Sequence, residues 1–475
     1  MTLGAQMRRL GKHSAIYGLG GVVSRVTAVF LLPLYTRYLD PPDFGAVGLL
    51  VGLSAVLVTI LRAGISSAFF RFYFDAKNTA ERLLVLRTSF WFTMASATAG
   101  LVAGVLLAEP LADLLLLDDA NLVRAAFVGI WAQMNYEQLT ALFRVEERSG
   151  LFVVASLANI AITIATTLVL VVGYDQGALG VIVGNFIGTL VVYLALLGYR
   201  RAQLGLQLSR PLLREMNRFG VPLVPSALAL IALNFGDRFF LNELVGTAEV
   251  GRYELGVRIA SAMVLLITAF RTAWPAFAYS IEDDDEAKRT YAFVLTYLVV
   301  AASWLALALG LLSPWLVRLL ATPEYYEGGR VVALLAFGSV AYAGYIVMAI
   351  GVGRAKRTKF NWVITGAAAA LSVVLNLLLV PRYELIGSGI AAASAYTAMF
   401  LGMCWYAQRV FPTPYQWRRV ATAAGGAVAL TVLGKLLDVP LAVALALVAA
   451  YPLVLLLLGF TLPAERARLR STLRV

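Results

Sequence analysis

The chain is poor in the groups that carry most chemistry. It holds one cysteine, Cys404, and one histidine, His13, so no internal disulfide can form and no paired metal-ligand motif arises. It has no nucleotide-binding glycine loop and no nucleophile elbow. Charge is scarce too: 14% of the 475 residues are Asp, Glu, Lys or Arg, against about 25% in a soluble domain. With no metal motif and no catalytic constellation, an enzyme is not expected. What is present instead is apolar. Hydrophobic residues make up 60% of the chain and the mean hydropathy is +0.81. Apolar runs of roughly 20 residues recur from end to end, each able to cross about 30 Å of hydrocarbon. Alternation of period two is missing, which argues against a β-barrel. The expected fold class is an all-α polytopic membrane protein.

Fourteen transmembrane helices are expected, near 14–36, 44–69, 84–108, 122–143, 151–173, 178–198, 219–241, 251–279, 290–313, 330–352, 359–380, 386–407, 420–437 and 440–460. The first follows Arg8, Arg9 and Lys12 and shows no small-residue cleavage site, so it reads as a retained span. The fourth is the most polar, being interrupted by "WAQMNYEQLTALF". On this count 26 Lys and Arg fall on the side of the two termini and seven on the other. Cations accumulate on the cytoplasmic side of membrane proteins, so both termini are expected inside. The net charge of +12 then reflects topology and anionic membrane lipid rather than nucleic acid.

The basic stretch "GYRRAQLGLQLSRPLLREMNRFG" (Gly198 to Gly220) reads as a linker between halves. At an offset of 209, Thr59 and Arg62 meet Thr268 and Arg271, Arg148 meets Arg357, Tyr174-Asp175 meets Tyr383-Glu384, and Gly180 meets Gly389. Phe44-Gly45 fits Val250-Gly251 at an offset of 206. Two pseudo-symmetric six-helix bundles are therefore expected, at 1–198 and 220–407, joined by a cytoplasmic linker at 199–219. Residues 408–475 supply helices 13 and 14 and a basic cytoplasmic tail. Halves with even span counts share one orientation, as in parallel-repeat transporters. The acidic loop "SIEDDDEAKR" (Ser280 to Arg289) is expected on the same face as the linker, where Asp283, Asp284 and Asp285 could attract it.

Charges inside spans are costly and mark function. Arg25 lies about 18 Å into the first span, near the bilayer centre. Arg62 and Arg271 occupy repeat-related places in spans two and eight, Arg258 lies shallower, and Asp237-Arg238 closes span seven. Arginine suits phosphate because its planar fork binds two oxygens together and never deprotonates. Arg25, Arg62, Arg271, Arg258 and Arg238 are thus candidates for holding an anion, and Trp274 for stacking on a sugar. Glu137 and Asp237 are the ionisable candidates for coupling to Na⁺ or H⁺. No metal or other cofactor is expected.

"SRVTAVFLLPLYTRYLDPPDFGAVGLL", "SSAFFRFYFD", "FGVPLVPSALALIALNFGDRFFLNELVGTAEVGRYELGVRIA" and "FRTAWPAFAYS" resemble the polysaccharide-transporter family. These are the O-antigen and exopolysaccharide flippases of the multidrug/oligosaccharidyl-lipid/polysaccharide superfamily. The resemblance runs from about Met7 to Arg409. It implies movement of an undecaprenyl-diphosphate-linked oligosaccharide across the bacterial inner membrane, by alternating access through a cationic central cavity. "FRTAWPAF" resembles the family's span-eight signature, which points to Arg271 and Trp274. Polysaccharide-assembly proteins would be further partners. A cation-coupled drug exporter of the same superfamily would bind its cargo through acids. A membrane glycan polymerase or ligase would need a long outer loop, and none is expected here.

Overall fold

The computed structural model describes residues 31–460. Arg25, most of the expected first span and the basic tail lie outside the described residues. Two compact units divide the chain between Glu254 and Leu255, and every regular element among the described residues is helical. The first unit holds α1 (Leu32–Tyr38), α2 (Pro41–Arg62), α3 (Ile65–Asp75), α4 (Thr79–Leu106), α5 (Ala108–Leu114), α6 (Ala120–Val145) and α7 (Ser149–Leu168). It continues with α8 (Gly177–Arg200), α9 (Arg210–Gly220), α10 (Val224–Leu244) and the start of α11 (Thr247–Ala260). The second holds the rest of α11, then α12 (Ala262–Ser280), α13 (Asp284–Leu320), α14 (Gly329–Arg354), α15 (Asn361–Val410), α16 (Trp417–Leu436) and α17 (Leu441–Leu457).

Polar side chains set where these helices begin. Asp40 caps α2 by accepting from the Asp43 N–H at 2.8 Å, ahead of a proline in the first turn. Asn78 and Glu81 form a reciprocal cap on α4, Asn78 Oδ1 accepting from the Glu81 N–H at 2.9 Å and Asn78 Nδ2 donating to Glu81 Oε1 at 2.8 Å. Inside the helices, hydroxyls that would be stranded in an apolar medium turn back on their own backbone. Ser54 donates to the Leu50 carbonyl at 2.7 Å and Thr59 to that of Ala55 at 2.9 Å.

Nine of the described helices are long and apolar enough to cross a membrane, and ten if the pair bent by 47° between α11 and α12 counts as one span. The chain is a multi-pass membrane protein. The described helices depart from the expected fourteen at four places. α15 is 50 residues long and breaks at Glu384 (φ 49°, ψ −129°), at the expected junction of spans eleven and twelve. α17 has only 17 residues. α6 carries Arg124, Glu137 and Arg144, which dilute its apolar character. The expected first span lies mostly outside the described residues.

The 209-residue offset reappears in the backbone. Asp175 (φ 53°) and Glu384 (φ 49°) both adopt the left-handed region, and so do Glu147 (φ 57°) and Lys356 (φ 56°). Both pairs are separated by that offset. Positive φ is uncommon outside glycine, and these four residues adopt it at positions separated by the offset expected from the sequence.

In the first unit α2 is crossed closely at both ends. A Cβ on Gly45 would lie 2.0 Å from the Thr247 carbonyl oxygen, and one on Gly251 would lie 1.9 Å from that of Pro41. At the other end Gly64 (φ +74°) rests on Gly220, where a Cβ would meet the Gly220 oxygen at 2.2 Å. Backbone contact of this kind lets membrane helices gain dispersion where no hydrophobic effect acts between them. Elsewhere in this unit α8 packs on α6 and α7, and α4 on α6. In the second, α14 packs between α13 and α15, with α16 and α17 against α13. The acids of the 280–289 loop find partners within the second unit. Asp283 caps α13, Asp284 takes the Arg354 Nε at 2.7 Å, and Asp285 takes Lys288 at 3.0 Å.

Candidate functional site

Arg62 ends α2, one residue before the chain turns through left-handed Ala63 and Gly64. Its guanidinium reaches α6, where Nη1 donates to Glu137 Oε2 at 2.6 Å and Nη2 to the Met134 carbonyl at 3.3 Å. The second oxygen of Glu137 accepts from Gln133 Nε2 at 2.9 Å. A residue chosen from the sequence as an anion holder and one chosen for ion coupling are therefore two halves of one ion pair. The arginine side chain is 15% exposed and the carboxylate 37%. This pair is sheltered without being sealed, so water or another anion can compete for the guanidinium.

Asp237 and Arg238 lie in a different environment. Arg238 on α10 is 3% exposed. It donates through Nε to Glu254 Oε2 at 3.0 Å and through Nη1 to the Asn234 carbonyl at 2.8 Å and to Asp237 at 3.1 Å. The Tyr253 hydroxyl donates to the other oxygen of Asp237. On the far side the ring of Phe235 lies 4.9 Å under the guanidinium. Such a buried, multiply bonded set is costly to break, because removing one partner strands a charge at about 3–5 kcal/mol. Here Arg238 braces α10 against α11 and has little freedom to take a ligand. Sequence reading did not single out Glu254 and Tyr253. The one signal was an acid, in "RYELGVR", where an apolar run should continue.

In the second unit, Arg271 and Trp274 sit three residues apart on α12 and meet opposite surroundings. Arg271 is exposed, and no acid among the described residues is paired with it. Trp274 is 3% exposed. It stacks on Phe270 with centroids 5.5 Å apart and meets the Tyr291 ring edge-on at 5.1 Å. The indole is thus part of an aromatic core, although its N–H is buried with no hydrogen-bond partner among the described residues. Arg258 is half-buried on α11. Arg25 lies outside the described residues. No group of three or more His, Cys, Asp or Glu among the described residues is placed to hold a metal.

The structure also uses arginines that the sequence did not single out. Arg200 grips Glu146 with both ends of its fork, at 2.9 and 2.6 Å, and is 3% exposed. Arg354 bonds Asp284 and the carbonyls of Ile281 and Glu282, at 2.7 and 2.8 Å for the latter two. Both tie loops to helices.

Comparison with known proteins places this geometry. Residues 10–280 match the family model described as polysaccharide biosynthesis protein. The amylovoran biosynthesis protein AmsL of Erwinia amylovora is 22% identical over 202 residues, 41% of this chain and 52% of that one. An uncharacterised membrane protein of Methanocaldococcus jannaschii, MJ1068, is 22% identical over 212 residues, 42% of this chain and 41% of its own. The chain thus matches about half the length of these relatives. Among solved structures, lipid II flippase MurJ in an inward closed conformation superposes with TM-score 0.71 at 12% identity, over 94% of this chain and 98% of MurJ. An inward-facing multidrug resistance MATE family transporter of the MOP superfamily gives 0.69 at 15% identity, over 82% and 98%. The fold is the one shared by these transporters, and with more than half of its length matched the chain belongs to the polysaccharide biosynthesis protein family.

Proposed function

We propose that this protein is a flippase that carries an undecaprenyl-diphosphate-linked oligosaccharide, an O-antigen or exopolysaccharide repeat unit, across the bacterial inner membrane. Alternating access through a cationic cavity moves the cargo, and Arg25, Arg62 and Arg271 hold its diphosphate. The observation that carries this reading is the state of Arg62. A permanent cation at the end of a membrane-spanning helix is kept, among the described residues, by one partly exposed carboxylate, Glu137, and not by a sealed network such as the one around Arg238. A diphosphate offers the same two-oxygen geometry as that carboxylate with more charge, so it can displace Glu137 without leaving the guanidinium unpaired. Arg271, exposed on the repeat-related helix, supplies a second such cation. Asp237, held by Arg238 and Tyr253, is the less mobile of the two ionisable candidates, which favours Glu137 for any coupling to H⁺ or Na⁺.

The test is export of glycan in cells carrying Arg25→Ala, Arg62→Ala and Arg271→Ala, singly and together. Each should lower export at unchanged membrane abundance. Lysine should rescue only part of it, because a point charge replaces a bidentate fork. Full export by the triple alanine variant would overturn the proposal.

A further inference from the structure

The linker between α8 and α10 is not a loose tether. Arg87 on α4 donates through Nε to the Gln203 carbonyl at 2.9 Å and through Nη1 to Gln207 Oε1 at 2.6 Å. The Trp91 indole donates to the Gly205 carbonyl at 3.2 Å, and the Ser209 N–H to the Thr88 hydroxyl at 3.2 Å. Ser209 then caps α9. One face of α9 is docked: Met216 is fully buried, and Leu212, Leu213 and Phe219 pack against the core of the first unit. Arg71 on α3 lies 4.5 Å over the Phe219 ring.

The opposite face carries Arg210, Arg214 and Arg218, all exposed and none paired with an acid among the described residues. A spacing of four residues sets successive cations about 6 Å apart along the axis, in a row that drifts by about 40° per step. The one acid on α9, Glu215, stands about 100° round from Arg214. Continuing toward α10, the exposed surface becomes apolar within one turn of Arg218. Val221, on the same side as the arginines, is 47% exposed, and Leu223, further round the chain, is 43%. In the linker that precedes the helix, Leu206 is 89% exposed.

An exposed surface that passes from three arginines, unpaired among the described residues, to bare aliphatic side chains in one turn matches the passage from lipid headgroup to acyl chain. A soluble acidic partner would satisfy the arginines but leave the aliphatic continuation in water. We infer that Arg210, Arg214 and Arg218 form a binding ridge for anionic phospholipid headgroups of the surrounding bilayer, rigidly presented because the linker before it is pinned to α4. The inference rests on the membrane-spanning character of the chain and not on the cargo assigned above.

The experiment titrates the purified full-length protein with phosphatidylglycerol or phosphatidylcholine and counts bound lipid by native mass spectrometry. The wild type should retain phosphatidylglycerol over phosphatidylcholine. R210Q/R214Q/R218Q should lose that preference, by about five-fold for each arginine removed, and the triple lysine variant should keep most of it, since headgroups ask for charge more than for a fork. Equal retention of both lipids by the wild type, or an unchanged preference in the glutamine variant, would overturn the inference. An undecaprenyl diphosphate titration separates this ridge from the substrate site. Binding of that lipid should survive in the glutamine variant and fail in Arg62→Ala. If the glutamine variant loses it as well, the ridge belongs to the substrate path and is not a phospholipid site.

Discussion

At the scale of single residues, what separates the arginines is how many partners each has and how far water can reach them. Arg238 has two carboxylates and a carbonyl at 3% exposure, whereas Arg62 has one carboxylate and a distant carbonyl at 15%. The first is a brace and the second can exchange. Under the proposed function, Glu137 is the stand-in for the cargo's phosphate. Replacing it with glutamine removes the competing anion while keeping the side chain's shape and its bond to Gln133. Glu137→Gln should therefore bind an undecaprenyl diphosphate several-fold more tightly than wild type in a direct lipid titration. It should also export glycan more slowly, because release is no longer assisted. Weaker binding by this variant would mean that the pair serves structure alone. The partnership itself was beyond sequence reading. Arg62 and Glu137 were each visible as charges in apolar runs, but they stand 75 residues apart, and no local periodicity ties one helix face to another.

Among the helices, close approach is decided by small residues at chosen points. The glycines near the start of α2 and α11 were legible as a repeat match, Gly45 with Gly251. The structure adds that the two meet backbone to backbone. A methyl on Gly45 has no room, since the obstacle at 2.0 Å is a carbonyl oxygen and not a flexible side chain tip. Gly150, at the start of α7, has nothing within 4 Å of a Cβ. Gly45→Ala should thus lower the midpoint of thermal unfolding, with a cost of about 1–3 kcal/mol for overpacking, while Gly150→Ala should leave it nearly unchanged. Equal midpoints would show that α2 and α11 can separate at no cost. The break in α15 is a second case. The sequence placed a junction between two apolar runs near Pro381 and Glu384, and the structure realises it in the left-handed backbone of Glu384.

For the whole molecule, the distribution of Lys and Arg makes a definite claim. Reporter fusions after Arg289 and after Val475 should read as cytoplasmic, and one after Asp119 as periplasmic. An outward reading at Arg289 would break the fourteen-span order and the repeat alignment with it. The local attachments of Asp283, Asp284 and Asp285 bear on motion at this scale. With Asp284 held by Arg354 and Asp285 by Lys288, these acids are already satisfied inside the second unit. Exposed pairs of this kind contribute only about 0–1 kcal/mol each.

The sequence by itself determined the solvent this chain lives in, its helical class and the places where charge interrupts apolar runs. All three are written in composition and spacing along one dimension, because a bilayer demands long apolar helices and penalises every exception. Only the tertiary structure decided which exceptions are held by one partly exposed partner and which by a buried set, and that Trp274 faces an aromatic core while Arg271, three residues earlier, stays exposed. Those outcomes depend on which faces of separate helices meet. In a membrane that choice is set by close packing and hydrogen bonds between helices, since apolar surface is as well solvated by lipid as by protein.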